Sequence, residues 1–325
     1  MKIAIVVPTI RPELFIQTFL PAWVDLFRKH RVHVFAVVDG EKMHVKHKSY
    51  EEWNGIDAKI SMGEKLYSAF PEETLETIYN YTDACRNLGF YVAKREIDPD
   101  IYISLDDDVL PVGDPIQDHI DALNETVKLD WVNTSRTHRM RGLPYNLEEY
   151  PVWLSHGTWQ GVPDLDAIQQ LQYPDMRNVD CPQLKILRGV FFPLCAMNFA
   201  FRKELLPWAY QAPMGRKLAE DGLPVYDRFA DIWSGLVMKW AIDEHQAAAV
   251  SGFSTIYHSR ASNVYTNLKK EAVGMEVNEN IWKFIYLLFL KHFNCAPNAD
   301  SETTNYLKLY HKRLTQWQKL IKDVE

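Results

Sequence analysis

The sequence predicts an α/β fold in which a largely parallel sheet is flanked by helices. Short apolar runs alternate with helical patterns along the chain, and polar side chains follow directly after several of these runs. The chain has 325 residues, 47% apolar and 24% charged, which is ample for a buried core and typical of a globular protein. We therefore expect ligands at the carboxyl edge of the sheet, where such folds bind them.

The first elements alternate between strand and helix. Residues 3–7 form an apolar run that stops at Pro8, which predicts a buried first strand rather than a signal peptide. A helix rich in Phe and Leu is expected over 13–29. Residues 32–38 predict a second strand, which ends at Asp39. Asp39 should therefore lie at the carboxyl edge of the sheet, together with the aspartates that follow a later strand.

The later elements continue this order. A helix is expected over 83–94, and Ile101–Leu105 predicts a strand that runs straight into an aspartate triplet. We expect residues 1–295 to form one domain and residues 296–325 a helical extension. In the extension, aromatic and aliphatic side chains recur every three or four residues and predict an apolar stripe: Tyr306, Tyr310, Leu314, Trp317 and Ile321. Packing on the main domain is the expected role, and a homo-oligomer interface is the alternative.

Composition excludes several classes of function. The formal net charge is −7, which argues against nucleic-acid binding by phosphate neutralisation. An anionic substrate would need a metal ion or a local cluster of Arg and Lys. The four cysteines are far apart and form no C-x-x-C motif, which predicts a reduced, cytoplasmic protein. Charged residues interrupt the longest apolar stretch, so no membrane span is expected.

The triplet Asp106-Asp107-Asp108 is the sharpest chemical feature. Side chains alternate in an extended chain, so Asp106 and Asp108 should point one way and Asp107 the other. A divalent cation such as Mn²⁺ or Mg²⁺ would stabilise the adjacent carboxylates and could also bridge a diphosphate. These features favour a metal-dependent nucleotide-sugar enzyme. A solvated acidic turn or a helix N-cap is the alternative.

Sequence blocks in a fixed order resemble the reversibly glycosylated polypeptides, the family of the plant UDP-arabinopyranose mutases. The resemblance covers roughly residues 3–290 and implies a GT-A-like fold with a Rossmann-type sheet. The blocks that carry it include VVPTIR at 6–11, VDG at 38–40, DACR at 83–86, LDDD at 105–108, RGLPY at 141–145, SHGTW at 155–159, PDLDA at 163–167, CAMNFAF at 195–201, RFADIW at 228–233, HSRASN at 258–263 and NLKKE at 267–271.

The resemblance implies roles for individual residues. It assigns the uracil and ribose pocket to Pro8, Thr9, Arg11 and Asp39. It implies that the base or the diphosphate is flanked by Arg86 and Lys94, with Asp107, Lys269 and Lys270 in the same nucleotide-binding set. It also implies a Mn²⁺ or Mg²⁺ site made by Asp106, Asp108 and His258, a chemically sensible donor set.

Arg141 is the position at which the family is reversibly glycosylated by its nucleotide sugar. A protonated guanidinium is a poor nucleophile, so a carboxylate would have to take a proton as the sugar becomes electrophilic. The candidate carboxylates are Asp164, Asp166 and Asp231. Ring opening and closure on a protein nitrogen would then exchange the pyranose and furanose forms.

Three functions stay open from the sequence. The first is a UDP-sugar mutase that glycosylates its own arginine. The second is a metal-dependent glycosyltransferase that uses an external acceptor. The third is a catalytically silent partner subunit, because Ala230 stands where the plant pattern has an acid before Asp231. The sequence does not identify the sugar, any acceptor or the oligomeric state.

Overall fold

The computed structural model describes residues 1–41, 43–53, 76–135, 137–178, 181–259, 262–290 and 301–324. The strands in these ranges are β1 (Ile3–Thr9), β2 (His33–Val38), β3 (His44–Lys48), β4 (Ile101–Leu105), β5 (Val109–Pro111), β6 (Thr126–Val127), β7 (Tyr150–Gly161), β8 (Leu184–Ile186), β9 (Asn198–Arg202) and β10 (Ala248–His258). The helices are α1 (Leu20–His30), α2 (Tyr50–Trp53), α3 (Arg86–Ile97), α4 (Pro115–Leu123), α5 (Ala167–Gln172), α6 (Lys217–Glu220), α7 (Ala230–Glu244), α8 (Val264–Glu271), α9 (Met275–Leu290) and α10 (Ser301–Asp323).

The predicted α/β class and the order of the first elements are confirmed. The expected strands at 3–7 and 32–38 correspond to β1 and β2, and Ile101–Leu105 is β4. The helix expected over 13–29 is α1, preceded by a helical turn at Pro12–Leu14 and a π-helical turn at Phe15–Phe19. The helix expected over 83–94 is α3, preceded by a 3₁₀ turn at Asp83–Cys85.

The strands form one mixed sheet in the order β3-β2-β1-β4-β9-β7-β10-β5. Parallel pairing joins β2 to β1, β1 to β4, and β7 to β10, whereas the other pairings are antiparallel. The expected parallel arrangement thus holds for the three neighbouring strands β2, β1 and β4. Beyond it, β9 runs antiparallel to both of its neighbours.

The sheet curls so that its two halves meet at the aspartate triplet. Only residues 106–108 separate β4 from β5, yet β5 pairs with β10, at the far side of the strand order. In that pairing His258 lies opposite Val109. The short connection therefore brings the end of β10 beside the end of β4, although the two strands are far apart in sequence.

Helix α3 packs closely on the sheet and fixes where its first residue, Arg86, lies. A Cβ at Gly89 would lie 2.4 Å from a Val6 methyl group and 2.8 Å from a Val37 methyl group. Any larger side chain would therefore force the helix away from β1 and β2. The absence of a side chain at Gly89 lets the buried Arg86 side chain reach the carboxyl end of β4.

Helix α10 packs on the main core, as the apolar stripe predicts. All five stripe residues are buried in the same cluster as Val6 of the sheet. The hydroxyl of Tyr306 donates to the Pro213 carbonyl oxygen over 3.1 Å, and the indole N–H of Trp317 donates to the Leu206 carbonyl oxygen over 3.0 Å. The expected domain boundary at 295/296 falls outside the described residues.

Candidate functional site

A cleft of about 1390 Å³ opens where β1, β2, β4, β7 and β10 end. The edge predicted from the polar residues that follow the strands is therefore the edge that carries the cleft. Of the residues predicted to form the site, the ones that line the cleft are Pro8, Thr9, Arg11, Asp39, Arg86, Asp106, Asp107, Asp108, Asp164, Asp166, Asp231, His258, Lys269 and Lys270.

The aspartates of the triplet differ in their partners, although Asp107 and Asp108 share one. Asp106 accepts a hydrogen bond from Nη2 of the buried Arg86, which also donates to the Leu105 carbonyl oxygen. Asp107 accepts hydrogen bonds from Thr9 Oγ1 and Arg11 Nη2, both at 2.6 Å, and Arg11 Nη2 also lies 3.5 Å from Asp108 Oδ2. We call Thr9, Arg11 and the three aspartates the strand-exit cluster, in which basic and hydroxyl groups balance the acids.

Asp108 and His258 face each other across the curl of the sheet. The distance from Asp108 Oδ1 to His258 Nε2 is 4.0 Å. His258 Nδ1 lies 2.9 Å from the Val162 carbonyl oxygen, which can only accept, so Nδ1 carries the proton and Nε2 presents its lone pair. Burial, followed by the charges of the other two triplet aspartates, raises the pKa of Asp108.

These donors fit a small divalent cation. Asp108 Oδ1 and His258 Nε2 are 4.0 Å apart. A cation between them could therefore lie about 2.1 Å from each atom, a usual metal–ligand distance. A carboxylate whose pKa is raised by burial and like charges is also one that a cation would stabilise. Asp106 is the third predicted ligand, but its Oδ1 accepts from Arg86. Among the described residues, no three His, Cys, Asp or Glu side chains are already arranged as a ligand group.

Asp39 lies directly after β2 and holds a neighbouring turn. Its Oδ1 accepts from the backbone N–H of Gly40 over 2.8 Å and of Tyr81 over 2.9 Å. Its Oδ2 accepts from the Thr82 N–H over 3.1 Å. Burial raises the pKa of Asp39, and the three N–H donors oppose that rise. The Asp39 carboxylate, which was predicted to bind a nucleotide, therefore holds the backbone of this turn through hydrogen bonds.

A second group of acids lines another part of the cleft. We call Asp83, Asp164 and Asp231 the acidic cluster. Burial, together with the nearby charges of Asp83 and Asp164, raises the pKa of Asp231 to about 7. The Ala196 N–H donates to Asp231 Oδ2 over 2.8 Å and fixes the carboxyl group. An acid with this pKa can both give and take a proton near neutral pH.

Two of the predicted cleft residues have structural partners. Asp166 is the N-cap of α5, and its Oδ1 accepts from the Gln169 N–H over 2.8 Å. Lys270 Nζ lies 2.8 Å from Asp227 Oδ2. These contacts account for both side chains within the protein, and the predicted roles of Asp166 in catalysis and of Lys270 at a diphosphate stay predictions.

Sequence reasoning gave no role to three residues that shape the cleft. Asp83 belongs to the acidic cluster. Arg228 has a left-handed backbone, φ +69°, and its Nε donates to Glu271 Oε1 over 2.8 Å. Glu271 is buried and also accepts from the Ala167 N–H over 2.7 Å. All three lie in the sequence blocks that carry the resemblance, which was the available signal.

Lys94 and Arg141 do not line the cleft. Lys94 lies near the C-terminal end of α3, away from Arg86 at its start, and its Nζ is 2.9 Å from Asp98 Oδ1. Arg141 is exposed in segment 128–149, which connects β6 to β7. Because β6 pairs with the first residues of β7, this segment leaves the sheet at the end opposite Gly161 and the cleft.

The segment around Arg141 is held by contacts of its own. Gly142 has φ +93°, a conformation that favours glycine, and forms a turn directly after Arg141. Arg139 donates to the Pro144 carbonyl oxygen, and its guanidinium carbon lies 5.0 Å from the centroid of the Tyr145 ring. The turn thus leaves the Arg141 side chain exposed, whereas the Arg139 side chain contacts Pro144 and Tyr145.

No helix in the described parts of the chain is both long enough and apolar enough to cross a membrane. Cys85 and Cys195, both buried, are free thiols.

Comparison with known proteins agrees with the sequence blocks. The family model described as "Reversibly glycosylated polypeptide" matches residues 1–323. A probable UDP-arabinopyranose mutase 1 of Pisum sativum is 34% identical over 306 residues, 87% of this chain and 77% of that protein. UDP-arabinopyranose mutase 2 of Arabidopsis thaliana is 33% identical over 332 residues, 95% of this chain and 83% of that protein.

Among solved structures, the crystal structure of S. aureus TarS 1-349 matches with a TM-score of 0.39 and 10% identity, covering 99% of this chain and 91% of that chain. The family match extends over nearly the whole sequence and includes every element that borders the cleft. The chain belongs to the reversibly glycosylated polypeptide family.

Proposed function

We propose that this protein binds a UDP-sugar in the cleft and interconverts its pyranose and furanose forms. The proposal is supported by family membership and by the relatives named UDP-arabinopyranose mutase. The observation that carries it is the acidic cluster, in which Asp231 has a pKa of about 7 beside two further carboxyl groups. A sugar that loses its UDP develops positive charge, and such a cluster would stabilise it.

A divalent cation would be held by Asp108 and His258, with Asp106 as the third ligand. When bound, it would supply the positive charge that a diphosphate needs beside this aspartate triplet. Arg11 and Arg86 would orient the nucleotide from either side. Lys269, which lines the same cleft, is the remaining basic candidate for the diphosphate.

Asp231 is our candidate for moving the proton. As the bond between C1 and the UDP oxygen breaks, UDP leaves with the bonding electron pair and a protein nitrogen forms a bond to C1. The proton that this nitrogen loses would pass to Asp164, which would return it when the nitrogen leaves. Protonated Asp231 would give its proton to the ring oxygen as the ring opens. The resulting carboxylate would take the proton from the hydroxyl that closes the new ring, and UDP would then displace the nucleophile. The proton count on Asp231 is the same at the end as at the start.

Reversible glycosylation of Arg141 is part of the proposal, with one added condition. An arginine that lies outside the cleft of its own chain would meet the sugar in the cleft of a second copy. Asp106→Asn/Asp108→Asn chains would be mixed with tagged Arg141→Lys chains and incubated with UDP-sugar. Intact mass should show a pentose on the untagged chain alone. A pentose on neither chain of the mixture, while wild type acquires one, would contradict transfer between copies.

The exposure of Arg141 also favours a second candidate, transfer to an external acceptor. Pure protein would be incubated with UDP-arabinopyranose and other UDP-sugars in the presence of Mn²⁺, and the nucleotides separated by chromatography. A new UDP-sugar isomer supports the mutase. Free UDP with unmodified protein supports a transferase, and no change supports a silent partner. A cytoplasmic location stays a prediction from the separated cysteines.

The silent-partner alternative rests on Ala230, and the geometry around it argues against that alternative. Ala230 is fully buried in the core, whereas Asp231 lines the cleft. A change at position 230 therefore does not remove the acid that faces the substrate.

A further inference from the structure

Tyr81 is an aromatic residue in the cleft that the proposed mechanism does not use. Its side chain is 47% exposed and lines the cleft, whereas Tyr79, two residues earlier, is buried in the core. Its backbone has φ +58°, a left-handed conformation that non-glycine residues adopt only with strain. A bulky aromatic residue held in this conformation and turned toward the cleft needs an explanation.

The turn that presents Tyr81 is fixed from two sides. From one side, Asp39 accepts the N–H groups of Tyr81 and Thr82, one on each carboxylate oxygen. From the other side, Gly215 lies so close that a Cβ there would be 3.3 Å from the Asn80 carbonyl oxygen. The strained conformation is therefore imposed by the surroundings, and Asp39 acts as a positioning residue for Tyr81.

The guanidinium of Arg216 lies over one face of the Tyr81 ring. Its central carbon is 5.8 Å from the centroid of the Tyr81 ring, within cation–π range. Both side chains line the cleft. Together they offer a flat aromatic face next to a positive charge, which suits a planar, electron-rich ring attached to a phosphate.

The strand order indicates which part of a nucleotide sugar would lie there. Tyr81 is held at the end of β2, and the triplet follows β4, two strands away in the sheet. That separation is about 10 Å at the usual strand spacing of about 4.8 Å. Asp231 accepts a hydrogen bond from the N–H of Ala196, which lies just before β9. Strand β9 lies on the other side of β4 from β1 and β2. A diphosphate at the triplet would thus have Tyr81 on one side and Asp231 on the other.

We infer that Tyr81 is the stacking surface for the nucleobase, and that Asp39 and Arg216 hold it in place. This inference deepens the proposed function and rests on it, because it names the contact that would recognise the uracil ring. Base–aromatic stacking needs the ring and not the hydroxyl group. It predicts that the phenyl ring of phenylalanine can replace tyrosine at this position.

The test compares UDP binding, in Mg²⁺, by variants that keep or remove the ring. Tyr81→Gly removes the ring but suits the left-handed backbone, so we expect UDP affinity to fall about tenfold. Tyr81→Phe should bind within about twofold of wild type. Tyr173→Ala is the matched control, because Tyr173 is also 47% exposed but lies outside the cleft. Calorimetry supplies the affinities.

A spectroscopic signature separates stacking from a general effect on structure. The ¹⁹F resonance of bound 5-fluorouridine diphosphate should shift between wild type and Tyr81→Gly, and should stay near the wild-type position in Tyr81→Phe. If Tyr81→Gly does not fold, Tyr81→Asn replaces it, since asparagine tolerates the left-handed region.

Two results would overturn the inference while leaving the proposed function intact. One is equal UDP affinity in wild type and the ring-free variant. The other is a ring-free variant that binds UDP normally but binds UDP-arabinose more weakly, which would assign Tyr81 to the sugar. Failure of wild type to bind UDP at all would instead refute the proposed function, and the inference with it.

Discussion

The strand-exit cluster and the acidic cluster share one cleft but differ in how their charges are balanced. In the strand-exit cluster, Asp107 accepts from both Thr9 and Arg11, and Asp106 accepts from Arg86. In the acidic cluster, burial and then the charges of Asp83 and Asp164 raise the pKa of Asp231. One cluster is built to hold fixed charges in place, and the other to carry an exchangeable proton.

Arg86 lies between the two clusters and couples them. Its guanidinium contacts Asp106, and its charge opposes the rise in pKa of both Asp83 and Asp231. A substitution in one cluster should therefore impair the function of that cluster more than the function of the other, because the buried guanidinium of Arg86 remains in place. We therefore expect substrate binding and proton transfer to be separable by substitution in this cleft.

We expect the largest effect on UDP affinity from substitutions in the strand-exit cluster alone. In an Asp106→Asn/Asp108→Asn double variant, we expect UDP affinity in Mn²⁺ to fall on the order of 100-fold, about 2.8 kcal/mol. The physical reason is that the diphosphate loses the cation that balances it. Calorimetric titration of UDP with and without Mn²⁺ measures the change.

The matched control for the double variant is Asp25→Asn, since Asp25 is an exposed carboxylate on α1, far from the cleft. It should leave UDP affinity unchanged. Equal UDP affinity of wild type in Mn²⁺ and in EDTA would refute the metal site.

The second prediction breaks the acidic cluster alone. Asp231→Asn should lower turnover on the order of 100-fold, because general acid–base catalysis contributes at least about that much. UDP affinity should stay within about twofold, because no hydrogen bond joins Asp231 to the strand-exit cluster. Conversion of UDP-arabinopyranose, measured by chromatography, gives the rates.

The pH dependence sharpens this prediction. Protonated Asp231 gives the first proton, so wild-type turnover should fall as the pH rises through about 7, the pKa of this carboxyl group. The variant should lack that decline. A wild-type rate that is flat between pH 6 and 8 would remove Asp231 from the proton-transfer step.

Two buried histidines, His119 and His156, test whether burial is the common cause of the pKa shifts. Burial lowers the pKa of His119 and of His156 to about 4, from an ordinary value of 6.5, whereas it raises the pKa of Asp231. In the unfolded chain these histidines bind protons from pH 6.5 downward, but the folded protein keeps them neutral. Stability is therefore full above pH 6.5 and is lost as the pH falls toward 4.

At pH 5 the loss should be about 2 kcal/mol per histidine. Urea unfolding at pH 7.5 and pH 5 measures it. His119→Gln can still hydrogen-bond to Ser155 and Asn198 but cannot be protonated, so its loss between the two pH values should be smaller. The exposed His138→Gln should keep the wild-type loss. An identical pH dependence in His119→Gln would contradict the burial argument.

The strand-exit cluster was predictable because its residues directly follow strands. Period-two alternation predicts that Asp107 points away from Asp106 and Asp108, but the observed partners do not divide in that way, because Arg11 contacts both Asp107 and Asp108 whereas Arg86 contacts Asp106. The meeting of Asp108 with His258 was expected only through the family resemblance. It depends on the curl of the sheet, which arises from the pairing of β5 with β10 and has no local signal in the sequence.

The remaining site could not be predicted from local patterns. Asp83 and Asp231 lie at the starts of helical segments that meet only in the fold. The role of Asp39 in holding Tyr81 depends on a turn 42 residues further along the chain. Arg141 was predicted from its block alone, and the described residues of segment 128–149 form no strand or helix whose direction could have located it.

The smallest expected effect concerns Lys94, which the resemblance assigned to the nucleotide. Lys94→Met should leave UDP affinity within about twofold of wild type, since α3 rises about 12 Å between Arg86 and Lys94 and carries the ammonium group away from the cleft. The partner of Lys94 is Asp98, four residues later, in an ion pair at the end of the same helix. Arg86→Met is the opposite case on the same helix: it removes the cation that Asp106 contacts and should weaken UDP binding strongly. Calorimetric titrations of the two variants would measure both effects. If both variants lost the same UDP affinity, a positive charge anywhere on α3 would be enough for UDP binding. The position of Arg86 at the cleft and of Lys94 away from it would then have no effect on binding.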